Sequence, residues 1–251
     1  MSMDSNITLH QGDCLILMDN IPDQSIDLIL CDLPYGTTQC FWDSIIPFGP
    51  LWKQYHRIIK PNGAILLFGA EPFSSQLRIS NLAEYKYDWV WVKDRTSGHL
   101  NATKQPLRNI ENISVFYGSP CKYYPQMTVG KPSHSIGAAI NDVTCKNDHL
   151  YGDYKRVNRE GNLKYPRQVL YFSRPHPPIH PTQKPVELME YLIKTYTDES
   201  DTVLDNCMGS GTTGIACKHL NRNFIGIELN PDYFKLAKER IESTVFPIPL
   251  F

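Results

Sequence analysis

The stretch LILCDLPYG (28–36) closes an apolar run with an acid, a proline and a tyrosine. A turn needs some of these residues, but it has no need of an aromatic beside an acid. Asp32 offers a carboxylate, Pro34 stiffens the backbone so that a carbonyl points outward, and Tyr35 supplies a flat face. Together they suit a planar base carrying an exocyclic amine. The ring stacks on Tyr35, while the amine donates one hydrogen bond to Asp32 and another to the carbonyl of Leu33 or Pro34. Drawing both N–H bonds in those directions favours a lone pair out of the ring plane, ready to attack a methyl group. An amine conjugated to an aromatic ring is a poor nucleophile, and this geometry lets it react without a covalent intermediate.

A second stretch, VLDNCMGSGTTG (203–214), is an apolar strand running into Gly209-x-Gly211-x-x-Gly214 and then a helix. Glycines let the backbone turn tightly and approach a ligand, and the helix start offers free N–H groups. The following strand ends at Glu228, where a carboxylate can accept hydrogen bonds from both ribose hydroxyls of an adenosine-bearing cofactor. No Lys-Ser/Thr pair follows the glycines, which argues against a phosphate-cradling NTPase loop. The motif alone leaves NAD and S-adenosylmethionine open; the residues at 32–35 favour the methyl donor.

Both stretches need strands to hold them. Apolar runs predict strands at 7–11, 26–32, 64–69, 87–92 and 112–118, with helices over 49–60 (stopped by Pro61-Asn62-Gly63) and 74–85. From about Gly118 to Pro178 the pattern lapses into Gly, Pro, Asn and Tyr, with only QVLYF (168–172) resembling a strand. Alternation resumes with a helix at 185–197, a strand at 202–206, a helix at 211–220, a strand at 223–229 and a helix at 231–243. Strands alternating with helices predict a mostly parallel α/β sheet covered on both faces. At 251 residues the chain is long enough for one such domain with an insertion: 1–117 with 177–251, interrupted by 118–176.

Charge divides along the same line. The net charge is −1, but the interruption carries nine Lys/Arg against four acids, leaving −6 for the remainder. A basic, Tyr-rich insert suits a nucleic-acid surface as well as it suits a plain solvated loop region. The candidate nucleic-acid contacts there are Lys122, Lys131, Lys155, Arg156, Arg159, Lys164 and Arg167. Seven Cys without C-x-x-C spacing suggest neither a zinc site nor a disulfide framework, and His176 and His180 have no acidic partner nearby in sequence, so no metal is expected. The odd Cys count, and the lack of a basic-then-apolar leader or of a membrane-length apolar run, place the chain in a reducing cytoplasm.

With these motifs in order, the chain resembles the amino-group DNA methyltransferases of the permuted arrangement, in which the catalytic motif precedes the cofactor motif. Asp32-Leu33-Pro34-Tyr35 matches the family's (Asp/Asn/Ser)-Pro-Pro-Tyr, with Leu33 for the commoner proline. HPTQKP (180–185), the run Asp205–Thr212, GDCL (12–15) and LNATKQPLRNIENISVFY (100–117) match further family motifs, so the likeness covers most of the chain outside 118–176. It implies a Rossmann-like S-adenosylmethionine-dependent methyltransferase fold, with a mostly parallel seven-stranded sheet and a loop-rich insert. It also implies that Glu228 holds the cofactor ribose and that Asp205, Gly209, Gly211 and Thr212 lie near its methionine end. Asp13, Thr182, Gln183 and Lys184 would complete that pocket. The implied substrate is the N6 amine of adenine in double-stranded DNA, flipped out of the duplex, because cytosine-N4 members more often carry Ser where Asp32 stands. Cytosine N4 is the near alternative; an RNA or protein amine methyltransferase and an inactive DNA-binding relative are more distant ones. The insert takes the place of the target-recognition region, although about 59 residues is short for one. TTQCFWD (37–43) suits either a loop over the base or, for Trp42, a core anchor. The resemblance leaves a homodimer and a cognate restriction endonuclease open as partners.

Overall fold

A computed structural model of the chain describes residues 5–36, 44–130, 144–145, 154–155, 162–177, 179 and 183–244. The chain forms two compact units, Met1–Tyr124 with Gln168–Phe251, and Pro125–Arg167. The larger unit includes 118–124 and 168–176, the two flanks of the interruption read from the sequence.

In chain order the larger unit begins β1 (Ile7–Gln11), α1 (Cys14–Leu17), β2 (Ile26–Cys31), α2 (Phe48–Ile58), β3 (Ile59–Gly69), α3 (Phe73–Ser80), β4 (Tyr85–Ser97) and β5 (Arg108–Phe116). Among its described residues the smaller unit contributes four two-residue strands, β6 (Thr128–Val129), β7 (Thr144–Cys145), β8 (Tyr154–Lys155) and β9 (Leu163–Lys164). They pair as two antiparallel ribbons, β6 with β9 and β7 with β8. The larger unit then resumes with β10 (Val169–Tyr171), α4 (Val186–Tyr196), β11 (Thr202–Asp205), α5 (Thr212–His219), β12 (Asn223–Glu228) and α6 (Pro231–Ser243).

The main sheet has eight strands in the order β1-β12-β11-β2-β3-β5-β4-β10, one more than expected. The extra strand is β10: Val169–Tyr171 pairs in parallel with Val90–Val92 of β4. It lies within the segment expected to be an insert, and its alternation of exposed Val169, buried Leu170 and exposed Tyr171 is that of an edge strand. Only β5 runs against its neighbours. A second correction concerns Pro61-Asn62-Gly63, which do not end a helix but lie inside β3. α2 passes directly into the strand, and a register shift opposite Ile26 and Leu28 absorbs the residues that cannot pair.

β2 shows why the sheet needs two covers. Leu28 and Leu30 point into a core closed by α4, α5 and α6, while Ile29 and Cys31 point into one closed by α1, α2 and α3. All six residues of β2 are buried. A strand covered on both faces reads as a continuous apolar run, and it ends where Asp32 begins.

Candidate active site

β2 and β11 lie side by side in parallel, with Leu28 and Ile29 opposite Val203 and Leu204. From β2 the chain moves on to β3 on one side; from β11 it moves to β12 on the other. Such a switch point opens a crevice at the carboxyl ends of the strands. Asp32 and Asp205, far apart in sequence, thus stand together at its floor. A cavity of about 450 Å³ opens there, within the range of small-molecule sites (about 300–1,000 Å³). Asp13, Asp32, Tyr35, Asp205, Thr212 and Glu228 are among the residues that line it.

At the end of β2, the Tyr35 hydroxyl donates to Asp32 Oδ1 at 2.6 Å, and its ring stacks on Phe73 with centroids 4.9 Å apart at 26°. One face of Tyr35 is thereby occupied and the ring is fixed. Asp32 Oδ2 accepts from Lys184 Nζ at 2.5 Å. Behind Lys184 lies Glu111 at 3.2 Å, which in turn accepts from Lys93 at 2.7 Å. Burial pushes the Asp32 carboxyl above its ordinary range, and the charge of Glu111 adds to this, against the pull of Lys184 and the Tyr35 hydroxyl. Burial alone would lower the Lys184 pKa, but the two carboxylates outweigh it and keep the ammonium charged. Burial, reinforced by the Asp32 charge, keeps Tyr35 a neutral phenol.

On the glycine side, Gly209 and Gly211 take φ of 52° and 77°, which only glycine adopts at little cost. Glu228 fastens the loop: its Oε2 accepts from the Gly209 N–H and its Oε1 from the Asn230 N–H, each at 2.8 Å. Asp205 accepts from the Thr213 hydroxyl at 2.5 Å and from the Cys207 N–H at 3.2 Å, yet burial lifts its carboxyl to about 7. The Thr212 hydroxyl, at the start of α5, is buried without a hydrogen-bond partner. Among the described lining residues the only cation is Lys184, already paired with Asp32 and Glu111.

The geometry agrees with what comparison finds. A family model described as DNA methylase matches residues 26–239. The chain belongs to the N6/N4 DNA methylase family. It is 30% identical over 239 residues to the type II methyltransferase M.HpaI of Haemophilus parainfluenzae, covering 90% of this chain and 71% of that one. Among solved structures, that of M1.HpyAVI bound to SAM superposes with a TM-score of 0.61 at 26% identity, over 93% of this chain and 99% of that one. The PvuII DNA methyltransferase, described as cytosine-N4-specific, gives 0.68 over 94% and 86% at 18% identity, a likeness of fold.

In this DNA methylase the structure brings together Asp32, Leu33, Pro34, Tyr35, Asp13, Gln183, Lys184, Asp205, Gly209, Thr212 and Glu228 around one cavity. Some of them prove to have structural partners as well. Asp13 caps α1, accepting from the Leu15 N–H at 2.8 Å, and Gln183 accepts from the Ile179 N–H at 3.0 Å. Lys184, expected to complete the cofactor pocket, lines the cavity and also pairs with Asp32. Gly211 acts one step removed from the cavity: a side chain there would run into Ala237 and Ile241 of α6. Thr182, His180 and the stretch 37–43 with Trp42 lie outside the described residues.

Of the basic residues expected to meet DNA, Lys122 belongs to the larger unit and pairs with Asp201 at 2.6 Å and Asp198 at 2.9 Å. Lys164 and Arg167 lie in the smaller unit, where Arg167 is exposed. Lys131, Arg156 and Arg159 lie outside the described residues, and of Lys155 only the backbone is described. His176 meets Arg95 at 3.1 Å, and among the described residues no group of three His, Cys, Asp or Glu is placed to hold a metal ion. No helix among the described residues is long and apolar enough to cross a membrane. Sequence reasoning missed Glu111, Lys93 and Phe73. Glu111 falls inside the stretch 100–117, but only the pairing of β5 with β3 and β4 brings it to Asp32.

Proposed function

We propose that this DNA methylase transfers a methyl group from S-adenosylmethionine to the N6 amine of adenine in double-stranded DNA, with the base swung out of the helix. The observation that carries the reading is that Asp32 and Tyr35 open into the same cavity as the glycine loop and Glu228. S-adenosylmethionine, when bound, supplies a methyl group on a positively charged sulfur. The cavity suits it. Asp13, Asp205 and Glu228 make the lining acidic, which favours a sulfonium and an ammonium group and disfavours the pyrophosphate of NAD. The partnerless Thr212 hydroxyl offers a further hydrogen bond. Glu228, at the tip of β12, would accept from the ribose hydroxyls with the lone pairs that the Gly209 and Asn230 N–H groups leave open.

The chain's own residues then act on the base. Phe73 backs one face of Tyr35, so the base stacks on the other. Tyr35 and Lys184 each occupy one oxygen of Asp32, and this fixes the carboxylate so that its remaining lone pairs face the amine. With a second hydrogen bond to the carbonyl of Leu33 or Pro34, the nitrogen lone pair turns out of the ring plane. Once methylated, the nitrogen must shed a proton, and Asp32, its affinity for protons raised by burial, is the acceptor beside it. Lys131, Lys155, Arg156, Arg159, Lys164 and Arg167 would position the duplex through its phosphates.

Cytosine N4 is the second reading, favoured by the likeness of fold to the cytosine-N4-specific PvuII enzyme. The test is transfer of labelled methyl from S-adenosylmethionine to unmethylated DNA, followed by separation of the nucleosides, with Asp32→Ala in parallel. The expected product is N6-methyladenine, abolished in the variant. N4-methylcytosine would keep the mechanism and overturn the base. No label in DNA, with the cofactor still bound, would overturn the substrate.

A further inference from the structure

Two buried charges beside the site are used by no step above. Lys93 of β4 and Glu111 of β5 have side chains only 9% and 14% exposed, and Lys184 only 6%. With Asp32 they form a line of alternating charge: Lys93 to Glu111 at 2.7 Å, Glu111 to Lys184 at 3.2 Å, and Lys184 to Asp32 at 2.5 Å. Aromatic rings back the two cations, Phe68 at 5.0 Å from Lys184 Nζ and Trp91 at 5.6 Å from Lys93 Nζ. Taking charges out of water is costly, and apolar side chains fill such space with equal or better stability. A line of buried charge that ends on a reacting carboxylate calls for a reason in the chemistry.

We infer that Glu111, anchored by Lys93, is a positioning residue that holds the Lys184 ammonium on Oδ2 of Asp32 and so sets the aim and charge of the carboxylate that receives the base amine. The inference rests on the proposed function for what Asp32 receives, but the coupling of Glu111 to Asp32 belongs to the protein alone. Lys184 has three N–H bonds on a flexible stem. A carboxylate on its far side fixes which way the ammonium leans. Asp32 keeps Oδ1 for Tyr35 and the base only while Lys184 stays on Oδ2.

Glu111 also acts through charge. The groups facing Asp32 are the Tyr35 hydroxyl and the Cys31 thiol from its own segment, Lys184 ahead of α4, Asp205 from β11, and Glu111 from β5. Glu111 adds negative charge, so it makes Asp32 hold a proton more tightly. Replacing it by neutral Gln must therefore move protonation of Asp32 to lower pH and make Asp32 the weaker proton acceptor.

The experiment has two arms. In the first, carboxyl-carbon NMR follows the titration of Asp32 in otherwise intact wild type and Glu111→Gln, the resonance being assigned with Asp32→Asn. The Asp32 midpoint should fall by about one pH unit in Glu111→Gln, and an unchanged midpoint overturns the coupling. In the second, single-turnover methyl transfer is measured across pH with saturating DNA and cofactor. Glu111→Gln should be slower by about tenfold, with its acid limb moved to lower pH and with S-adenosylmethionine affinity unchanged; Glu111→Asp should recover part of the rate. Equal loss in Glu111→Asp, or an unmoved acid limb, would reduce Glu111 to packing. If Glu111→Gln does not fold, Lys93→Met/Glu111→Gln removes one charge of each sign and carries both readouts. A wild type that methylates no DNA would refute the proposed function, and the NMR arm would still decide the coupling.

Discussion

Asp205 is a buried acid in the cavity lining through which cofactor binding would couple to pH. Its carboxyl is lifted to about 7, chiefly by burial. Between its unfolded value near 4 and about 7, the unfolded chain has released the proton that the folded chain retains. The unfolded state thus binds fewer protons, and stability must fall as pH rises through that window. Asp205→Asn removes this penalty while keeping an acceptor for the Cys207 N–H. Without ligand, the variant should be more stable than wild type at pH 8, by about 1–4 kcal/mol, and the difference should vanish toward pH 4, read as urea midpoints. Binding a cation beside Asp205 needs the anion. Wild-type affinity for S-adenosylmethionine should therefore weaken by about tenfold per pH unit below about 7, and that of Asp205→Asn should be flat, as calorimetric titration would report. A pH-independent wild type would mean that the ammonium group sits elsewhere.

At the level of elements, α5 is placed by what its glycines leave out. A side chain at Gly214 would meet Ile241 of α6 and the buried ring of Phe224 in β12. Gly214→Ala gains about 1 kcal/mol of helix propensity, but crowding a packed core costs about 1–3 kcal/mol. The Phe224 ring has nowhere to go, so net destabilisation of about 1–2 kcal/mol is expected in denaturant unfolding. A stabilised variant would show that α5 has room against the sheet. The glycine pattern and the strands β1, β2, β11 and β12 were legible because each is a local statement: an apolar run, an acid, a turn. Asp32, Asp205 and Glu228 are visible for the same reason, since each ends or directly follows such a run. Other elements were not legible. α1 is a single turn started by Asp13, too short to show a period. Pro61-Asn62-Gly63 carry the residue types of a stop, and only the register shift against β2 accommodates them within a strand. The position of β5 between β3 and β4 is a tertiary fact, and with it the line from Lys93 to Asp32 stays hidden from any linear reading.

For the whole molecule, the division of labour follows charge. Among the described residues, the buried clusters on both faces of the main sheet draw only on the larger unit. The smaller unit, Pro125–Arg167, carries seven Lys/Arg against four acids and, among its described residues, only two short ribbons. The charge excess and the broken periodicity could be read from the sequence; Lys122, tied to two aspartates, could not be told from the rest. If the smaller unit holds the duplex, its cations displace counterions, and each phosphate neutralised adds about 0.9 to the slope of log affinity on log salt. Replacing Lys131, Lys155, Arg156, Arg159, Lys164 and Arg167 together by Ala should flatten that slope by about three to five. Folding and S-adenosylmethionine affinity should be untouched, because the described residues of both cores and of the cavity lining are left as they are. DNA binding by fluorescence anisotropy across a salt series checks this directly. An unchanged slope would move the duplex onto the larger unit. Its β4–β5 hairpin offers exposed Arg95, Lys104 and Arg108 at the carboxyl end of the sheet, the end where Asp32 lies.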